Sequence, residues 1–422
     1  MLPAHVRQPH SRSHNYKTSD NSDDSDSDGD NREGDQAQIR YPQQNHRSTI
    51  ATTLGTNTNT TTVNRTTAPP PLGLTGVVCE SHCLTVPGRG RLHYTVYRPR
   101  QLLHSPYCHY KPPLVCVPGG PLIPCNYLQS LVYTVTDRAV VLYDPIGCGQ
   151  SILFLQQSTT TSTATTTITP HHPMRMDEQV QDLQCLVQAL KCPQFHLLGH
   201  SFGGLVVYEY LVQLQQSQHC ACAILASAPA STATSRADSE ALVTAIVKEL
   251  RSSSSTSCGS KGNADNVNDD LTNDAHVKYA AHDVFWSRHE CRISPMPYQL
   301  QQAFTQAKVQ GTGSSITNKN TMLEYTATNQ QPDGGGGGGS FDSTTLPPVL
   351  VLRGQYDFVT TANSHDAWSR RIPNAECWTI AGTSHYGMVE QEELFGSCVT
   401  AFLQKNDPPP ATAAASTCNV HR

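Results

Sequence analysis

The sequence predicts an α/β fold in which helices flank a mostly parallel β-sheet, and three observations lead to this prediction. Short apolar runs at 114–117, 140–143 and 349–352 are typical of buried parallel strands. Apolar residues recur at helical spacing within 180–190, which indicates a helix with one face packed on the sheet. A strand, a serine between two glycines and a helix follow one another at 195–212. With 422 residues, 37% of them hydrophobic, the chain can bury one sizeable core plus a lid.

The strands and helices are expected in alternation along the chain. An alternating segment at 92–97 opens the sheet, and a helix at 390–403 closes the series. The strands are expected at 92–97, 114–117, 140–143, 195–198, 223–225, 349–352 and 376–380.

The most informative segment is the pentapeptide Gly199-His200-Ser201-Phe202-Gly203. A strand leads into it and an apolar helix leaves it, which predicts a nucleophile elbow and hence an α/β-hydrolase fold. In that turn the hydroxyl of Ser201 is exposed, and the two glycines keep side chains away from it. A bare G-x-S-x-G pattern also arises by chance, so the prediction depends on the flanking strand and helix.

The partners of a catalytic serine are expected after later strands, in the order serine, acid, histidine. Asp357 follows the strand at 349–352, and His385 follows the strand at 376–380. The hypothesis is that His385 acts as general base and acid while Asp357 orients its ring. Alternatively, Asp357 caps the next helix and His385 is a surface loop residue; Asp366, within a predicted helix, is a weaker candidate acid.

Backbone N–H groups are expected to bind the oxyanion of an acyl-transfer reaction. Gly119 and Gly120 follow the strand at 114–117, and Phe202 follows the candidate nucleophile. Losing one such donor typically costs about 3–4 kcal/mol of transition-state stabilisation. Alternatively, Gly119 and Gly120 form an ordinary Pro-Gly turn.

Composition changes along the chain predict the domain organisation. The core is interrupted by a mainly helical cap that precedes the penultimate strand and contains Ser-rich (252–257) and Gly-rich (334–339) inserts. The predicted segments are a disordered acidic and Thr/Asn-rich tail at 1–75, the core at 76–230, the cap at 231–343, the core again at 344–405 and a disordered end at 406–422.

Charge and cysteine usage exclude several classes of protein. A net charge of −5 is not the footprint of a nucleic-acid-binding protein, and no apolar run is long enough for a membrane span. Fifteen scattered cysteines and a polar N-terminus favour reduced thiols in the cytoplasm. The segment 79–83 holds two cysteines and a histidine without a second ligand pair, so neither a metal nor a cofactor is expected.

Three further segments resemble proline iminopeptidases, which are α/β-hydrolase serine peptidases that remove an N-terminal residue, often proline, from short peptides. Residues 117–121 (VPGGP) and 140–151 (VVLYDPIGCGQS) are similar to the H-G-G-P and D-Q-x-G-x-G-x-S blocks of that family. Residues 285–292 (FWSRHECR), in the predicted cap, are similar to its F-Y-x-x-H-x-C-R stretch. The resemblance spans about residues 76–405.

The resemblance implies how a substrate is bound. Family members commonly hold the free α-amine of the substrate with two glutamates, and Glu324 resembles the one in the cap. The second follows the triad aspartate, and this chain has Phe358 there. Phe285, Trp286 and Tyr325 are candidate pocket walls. Alternatively, Glu324 is a solvated cap residue and the aromatics are the core of the cap.

The sequence therefore leaves more than one function open. The main hypothesis is a serine hydrolase that cleaves the N-terminal residue, proline or another small apolar residue, from peptides through an acyl-enzyme. The substrate is then a small peptide or an aminoacyl amide or ester. An amidase or carboxylesterase of the same fold and a non-catalytic binding protein are the alternatives; the oligomeric state stays open.

Overall fold

The computed structural model describes residues 6–7, 76–103, 111–154, 175–214, 219–255, 270–310 and 345–409. Several predictions lie outside these ranges. They concern nearly all of the 1–75 tail, the 410–422 end, the glycine-rich insert and the candidate binding residues Glu324 and Tyr325.

Within the described residues, ten strands form one sheet in the order β1-β10-β9-β8-β7-β4-β5-β3-β2, with β6 paired to β3. The six strands from β10 to β5 along this order run parallel, and the remaining pairings are antiparallel. The strands are β1 Val6–Arg7, β2 Val77–Val86, β3 Gly90–Pro99, β4 Leu114–Val117, β5 Val140–Tyr143, β6 Ile152–Leu153, β7 Phe195–His200, β8 Cys220–Ala226, β9 Val349–Gly354 and β10 Glu376–Ile380.

Helices connect the parallel strands, and three of them lie in the insertion between β8 and β9 that forms the cap. The helices are α1 Ser130–Thr134, α2 Met176–Leu190, α3 Phe202–Leu214, α4 Thr232–Ser255, α5 Asp270–Phe285, α6 Tyr298–Val309, α7 Ala362–Arg371, α8 Gly387–Glu390 and α9 Glu392–Lys405. The predicted α/β fold with a helical insertion before the penultimate strand is confirmed. None of the helices in the described part of the chain is long and apolar enough to cross a membrane.

The two faces of the sheet carry separate apolar cores. Alternate residues of each strand point to opposite faces, so Val115 packs with α2, α3 and α7, whereas Leu114 packs with α1, α6 and α9. Both residues are fully buried, as expected for a parallel strand that is covered on both sides. The carboxyl ends of β4, β7, β9 and β10 consequently emerge at one edge of a rigid layer.

The structure corrects the predicted start of the sheet. It begins before residues 92–97, with β2, which pairs antiparallel with the whole of β3. Most of β2 is exposed or half-buried, and such an edge strand is held mainly by its backbone, so its sequence lacks the apolar signal of a core strand. Two residues of the predicted tail, Val6–Arg7, form β1 and pair with β10 at the other side of the sheet.

The end of the core also differs from the prediction, because residues 406–409 are ordered rather than part of a disordered tail. The Arg138 side chain is fully buried, and its Nη1 and Nη2 donate to Asp407 Oδ1 and Oδ2 at 2.7 and 3.0 Å. His196 Nε2 lies 3.1 Å from Asp407 Oδ1. A buried guanidinium needs a carboxylate partner, so the segment around Asp407 is fixed at this point.

Candidate active site

Ser201 lies on a strained turn between β7 and α3. Its φ of 52° is in the left-handed region that non-glycine residues rarely adopt. A Cβ on Gly199 would lie 2.3 Å from the Gly203 carbonyl oxygen, and one on Gly203 would lie 2.3 Å from that of Val117. The Ser201 N–H donates to Ala226 O at 2.9 Å. The flanking glycines therefore allow a tight turn that is fixed between β4 and β8.

Asp357 follows β9 and is completely buried. The N–H of Thr360 donates to its Oδ1 at 2.9 Å, and the Thr360 hydroxyl donates to its Oδ2. Burial would raise the pKa of Asp357, but His385 and the Thr360 donors outweigh burial and lower it below its ordinary value. The residue before α7 is Thr361, so Asp357 is not the cap of that helix.

His385 faces this carboxylate. Its Nδ1 lies 3.2 and 3.3 Å from Asp357 Oδ1 and Oδ2, and only 3% of the residue is exposed. Burial would lower the pKa of His385, whereas the charge of Asp357 and its hydrogen bond raise it, and the net shift is upward. His385 is therefore not a surface loop residue, and its Nδ1–H is oriented by a buried carboxylate.

The residue before Ser201 bonds the elbow to this histidine. His200 Nε2 donates to the carbonyl oxygen of His385 at 3.0 Å, and the two rings lie 4.9 Å apart. Among the described residues the Ser201 hydroxyl has no hydrogen-bond partner. Hydrogen bonds between nucleophile and base are often long without substrate, and they shorten when it binds.

The glycine turn after β4 lies against the elbow, because a Cβ on Gly119 would be 2.9 Å from Ser201 Cβ. The Gly119 N–H already donates to the Tyr127 hydroxyl at 2.6 Å. In the part of the chain that is described, the N–H groups of Gly120 and Phe202 have no partner. Of the three candidate donors, these two are thus available for an oxyanion.

A chain of hydrogen bonds supports this arrangement, and its direction is determined by chemistry. His200 Nε2 must donate, since its partner is a carbonyl, so Nδ1 is the acceptor. The Tyr127 hydroxyl donates to that Nδ1 at 2.9 Å and accepts from Gly119. Burial and the nearby His385 lower the pKa of His200 to about 3, which keeps its ring neutral. The chain of hydrogen bonds links the glycine turn, the elbow and the backbone of His385.

Sequence analysis did not identify Tyr127 or His200 as functional residues. His200 occupies a variable position of G-x-S-x-G, and Tyr127 lies in a short helical segment without a motif. The sequence signal for them was their position, since His200 directly precedes Ser201 and Tyr127 follows Gly119 by eight residues. Their contacts join residues that are 73 positions apart in the sequence.

The glycine-rich loop at 144–151 is built around Asp144. Its Oδ1 accepts the Cys125 N–H at 3.0 Å and its Oδ2 accepts the Gln150 N–H at 2.8 Å. Gln310, just beyond α6 of the cap, exchanges two hydrogen bonds of 2.8 Å with the backbone of Gly149. The loop is therefore bonded to the segment that follows the glycine turn on one side and to the cap on the other.

The predicted substrate-binding residues have different environments. Phe285 is 4% exposed within a small apolar core of the cap, so the prediction that it walls the pocket is corrected. Trp286 is partly buried and lies 6.1 Å, ring to ring, from Tyr386 beside the histidine. Phe358 is 36% exposed, and its ring lies 4.7 Å from that of His289.

Glu290, in the cap, is a further acidic residue near the triad. Burial raises its pKa to about 7; His385 opposes this shift and Asp357 adds to it. The same electrostatic interaction makes Glu290 one of the carboxylates that raise the pKa of His385. Over the described ranges, no group of three or more His, Cys, Asp or Glu residues is arranged to hold a metal ion.

Comparison with known proteins agrees with the fold. Residues 112–392 match the alpha/beta hydrolase fold family. The proline iminopeptidase of Lactobacillus delbrueckii subsp. bulgaricus is 25% identical over 300 residues, covering 70% of this chain and 90% of that protein. The proline iminopeptidase of Levilactobacillus brevis is 26% identical over 325 residues, covering 75% and 95%. The resemblance stated from the sequence motifs is confirmed.

Solved structures share the fold. The crystal structure of proline iminopeptidase from Mycobacterium smegmatis superposes with a TM-score of 0.58 at 21% identity, covering 78% of this chain and 98% of that one. A putative aryl esterase from Burkholderia cenocepacia superposes with a TM-score of 0.50 at 14% identity, covering 78% and 99%. Sequence, topology and superposition agree, and the chain belongs to the alpha/beta hydrolase fold family.

Proposed function

We propose that the chain is a serine aminopeptidase of the proline iminopeptidase type, which cleaves proline or another small apolar residue from the N-terminus of peptides. One observation carries the proposal. The imidazole of His385 contacts both oxygens of a fully buried Asp357 at the sheet edge where Ser201 lies on a strained elbow. The curated relatives named above, which are proline iminopeptidases, support the peptidase assignment.

In the proposed reaction Ser201 attacks the carbonyl of the N-terminal residue while His385 Nε2 takes the hydroxyl proton. Asp357 keeps the proton of the ring on Nδ1 and stabilises the imidazolium that forms. The N–H groups of Gly120 and Phe202 bind the oxyanion. His385 then protonates the leaving amine, and a water molecule activated by the same ring hydrolyses the acyl-enzyme.

The substrate side of the proposal rests on the family resemblance. Glu324 is proposed to bind the free α-amine of the substrate, with Tyr325 and Trp286 as walls of the pocket. Phe358 replaces a carboxylate with an apolar ring, so the ammonium group loses one charged partner. We therefore expect free-amine recognition to be weaker than with two carboxylates.

The first experiment measures fluorophore release from proline aminomethylcoumarin by the wild type and by Ser201→Ala. We expect turnover by the wild type and none by the variant. A fluorophosphonate probe should label Ser201 in the wild type, and labelling should disappear in Ser201→Ala. A folded protein without labelling would support the non-catalytic alternative and contradict the enzyme assignment.

An amidase or carboxylesterase of the same fold is the second candidate, and the exposed Phe358 ring favours it. A panel of aminoacyl amides and esters with free or acetylated amines separates the two candidates. Preference for the free amine supports the aminopeptidase, and equal or faster cleavage of blocked esters supports the esterase. Glu324→Ala should raise KM for the free-amine substrates alone; an equal loss on both would argue for a structural role.

The proposed setting is the cytoplasm, where thiols stay reduced. The cysteines of the described ranges are free, including the exposed Cys79 and Cys83. The proposed partner is a small peptide or aminoacyl substrate, without a cofactor, nucleic acid or membrane.

A further inference from the structure

The cap segment 285–292, which the sequence marks as a motif, forms a π-helical turn at Trp286–Glu290. Cys291 N–H donates to the carbonyl oxygen of Trp286, five positions back, at 3.0 Å. Such wide turns are rare and frequently occur at functional sites. We call residues 286–291 the cap turn.

The cap turn is bonded through its backbone to the loop that carries the catalytic base, residues 381–386, which we call the histidine loop. His385 N–H donates to the carbonyl oxygen of His289 at 3.2 Å, and Tyr386 N–H donates to that of Glu290 at 3.0 Å. The Ser384 hydroxyl lies 2.8 Å from the Glu290 carbonyl oxygen, but Glu390 Oε1 at 2.5 Å competes for its single proton. Two backbone bonds from consecutive residues therefore fix the base against the cap.

The ring of His289 contacts the loop that carries the acid, residues 355–360, which we call the acid loop. Its Nδ1 lies 3.1 Å from the carbonyl oxygen of Tyr356, the residue before Asp357. A carbonyl can only accept, so Nδ1 carries the proton and donates. The rings of Phe358 and Phe285 lie 4.7 and 5.3 Å away and hold the imidazole in place.

The acid loop and the histidine loop are also bonded to each other, because Tyr356 N–H donates to Thr383 O at 2.8 Å. The cap turn, the acid loop and the histidine loop thus form a closed ring of hydrogen bonds around the Asp357–His385 pair. The N–H of Tyr356 donates to the histidine loop, and its carbonyl oxygen accepts the bond from His289 of the cap turn.

We propose that His289 is a positioning residue of the triad: its bond to the Tyr356 carbonyl holds the acid loop so that both oxygens of Asp357 meet the His385 ring. His289 acts through Asp357 and touches neither the nucleophile nor the reacting carbonyl. The proposal rests on the proposed function of this triad as a hydrolytic site.

The test compares His289→Ala with His289→Asn, in which the amide Nδ2 can replace the Nδ1–H donor. We expect His289→Ala to lower kcat about 10- to 100-fold with little change in KM, since a small displacement of catalytic groups costs that much. His289→Asn should recover most of the lost rate. His282→Ala removes an exposed histidine of the same cap and should match the wild type.

The rate of labelling of Ser201 by a fluorophosphonate gives a readout that does not depend on the peptide substrate. We expect the order wild type, His289→Asn, His289→Ala. If the peptidase assignment fails but labelling follows this order, the positioning role stands and only the substrate is wrong.

A double-mutant comparison tests whether His289 acts through the acid. In an Asp357→Asn background, His289→Ala should slow labelling much less than it does in the wild type. Full additivity would overturn the proposal, as would an unchanged kcat in His289→Ala or a loss confined to KM. Equal losses in His289→Ala and His289→Asn, with equally lowered melting temperatures, would assign the residue to the folding of the cap.

Discussion

Replacing Tyr127 by Phe removes a single hydroxyl that is central to the active-site hydrogen bonds. The hydroxyl accepts from Gly119 N–H and donates to His200 Nδ1, and both Tyr127 and His200 are at most 1% exposed. Each buried group left without a partner costs about 1–3 kcal/mol. Since the ring volume is kept and the loop can relax, we expect the free energy of unfolding to fall by about 2–4 kcal/mol.

The same change should affect catalysis through the glycine turn at Gly119 and Gly120, where the Gly120 N–H is a proposed oxyanion donor. Deleting one oxyanion donor lowers kcat about 100- to 1000-fold. Tyr127→Phe displaces the Gly119 segment without deleting the Gly120 or Phe202 N–H, so we expect a smaller loss, about 10- to 100-fold in kcat, with KM nearly unchanged. Stability is measured by urea unfolding, and kcat by steady-state hydrolysis of the best substrate in the aminoacyl panel.

Tyr210→Phe is the matched control. Tyr210 is also 1% exposed, but among the described residues its hydroxyl has no hydrogen bond. It packs on the opposite side of the sheet from Tyr127, among residues of α3. If Tyr127→Phe behaves like Tyr210→Phe in both measurements, the hydrogen-bond chain does not hold the turn and the reasoning is refuted.

Three other changes test separate parts of the structure. Asp407→Asn leaves the buried Arg138 with less compensation, and we expect a loss of about 2–3 kcal/mol in unfolding free energy, below the 3–5 kcal/mol of a fully buried pair. The desolvation of Asp407 is outweighed by its partners, which lower its pKa below the ordinary 3.8, so the difference from wild type should be full above that pH and fade as pH falls further. Glu290→Gln removes a carboxylate that raises the pKa of His385 when it is ionised, and because its own pKa is about 7 it is only partly charged at the acid limb. The acid limb of the kcat/KM profile should therefore move to lower pH by a small amount. Gly203→Ala places a Cβ 2.3 Å from a backbone oxygen at the end of β4, and we expect lost fluorophosphonate labelling together with a loss of about 1–3 kcal/mol in stability.

For each of these substitutions, one outcome would contradict the expected effect. Asp177→Asn, which breaks an exposed pair with Arg175, should leave the stability almost unchanged, and an equally small loss in Asp407→Asn would show that burial does not matter there. An acid limb that stays in place or moves to higher pH in Glu290→Gln would exclude the assigned charge effect on His385. Full labelling of Gly203→Ala would show that the elbow tolerates a side chain.

The positions of the three candidate triad residues could be predicted because each follows a strand whose own sequence is distinctive. Ser201, Asp357 and His385 come directly after apolar runs, and parallel strands bring their carboxyl ends to one edge. The edge strand β2 was missed, because exposed strands carry no apolar pattern. The order of serine, acid and histidine along the chain therefore indicates where the candidate site lies. The exposed outer strands, by contrast, have no sequence pattern that would predict them.

The groups that hold the triad could not be predicted, because they depend on contacts between distant segments. His289 meets the acid loop across 67 positions, and Asp407 meets Arg138 across 269. A motif such as FWSRHECR indicates that its residues are constrained but not what they touch. Its aromatics are candidates either for a pocket wall or for the core of the cap, and the structure places Phe285 in the cap core, while His289 contacts the backbone beside Asp357.

This difference bears on how the cap relates to catalysis. A cap that only covered the pocket would change substrate affinity when altered, because its residues would meet the substrate alone. Here the cap turn also bonds to the backbone of His385 and Tyr356, so its position enters the geometry of the reacting groups. Substitutions in the cap should therefore separate into two groups by their kinetics. Those on the pocket side, such as at Trp286, should act on KM, and those that break the ring of hydrogen bonds should act on kcat.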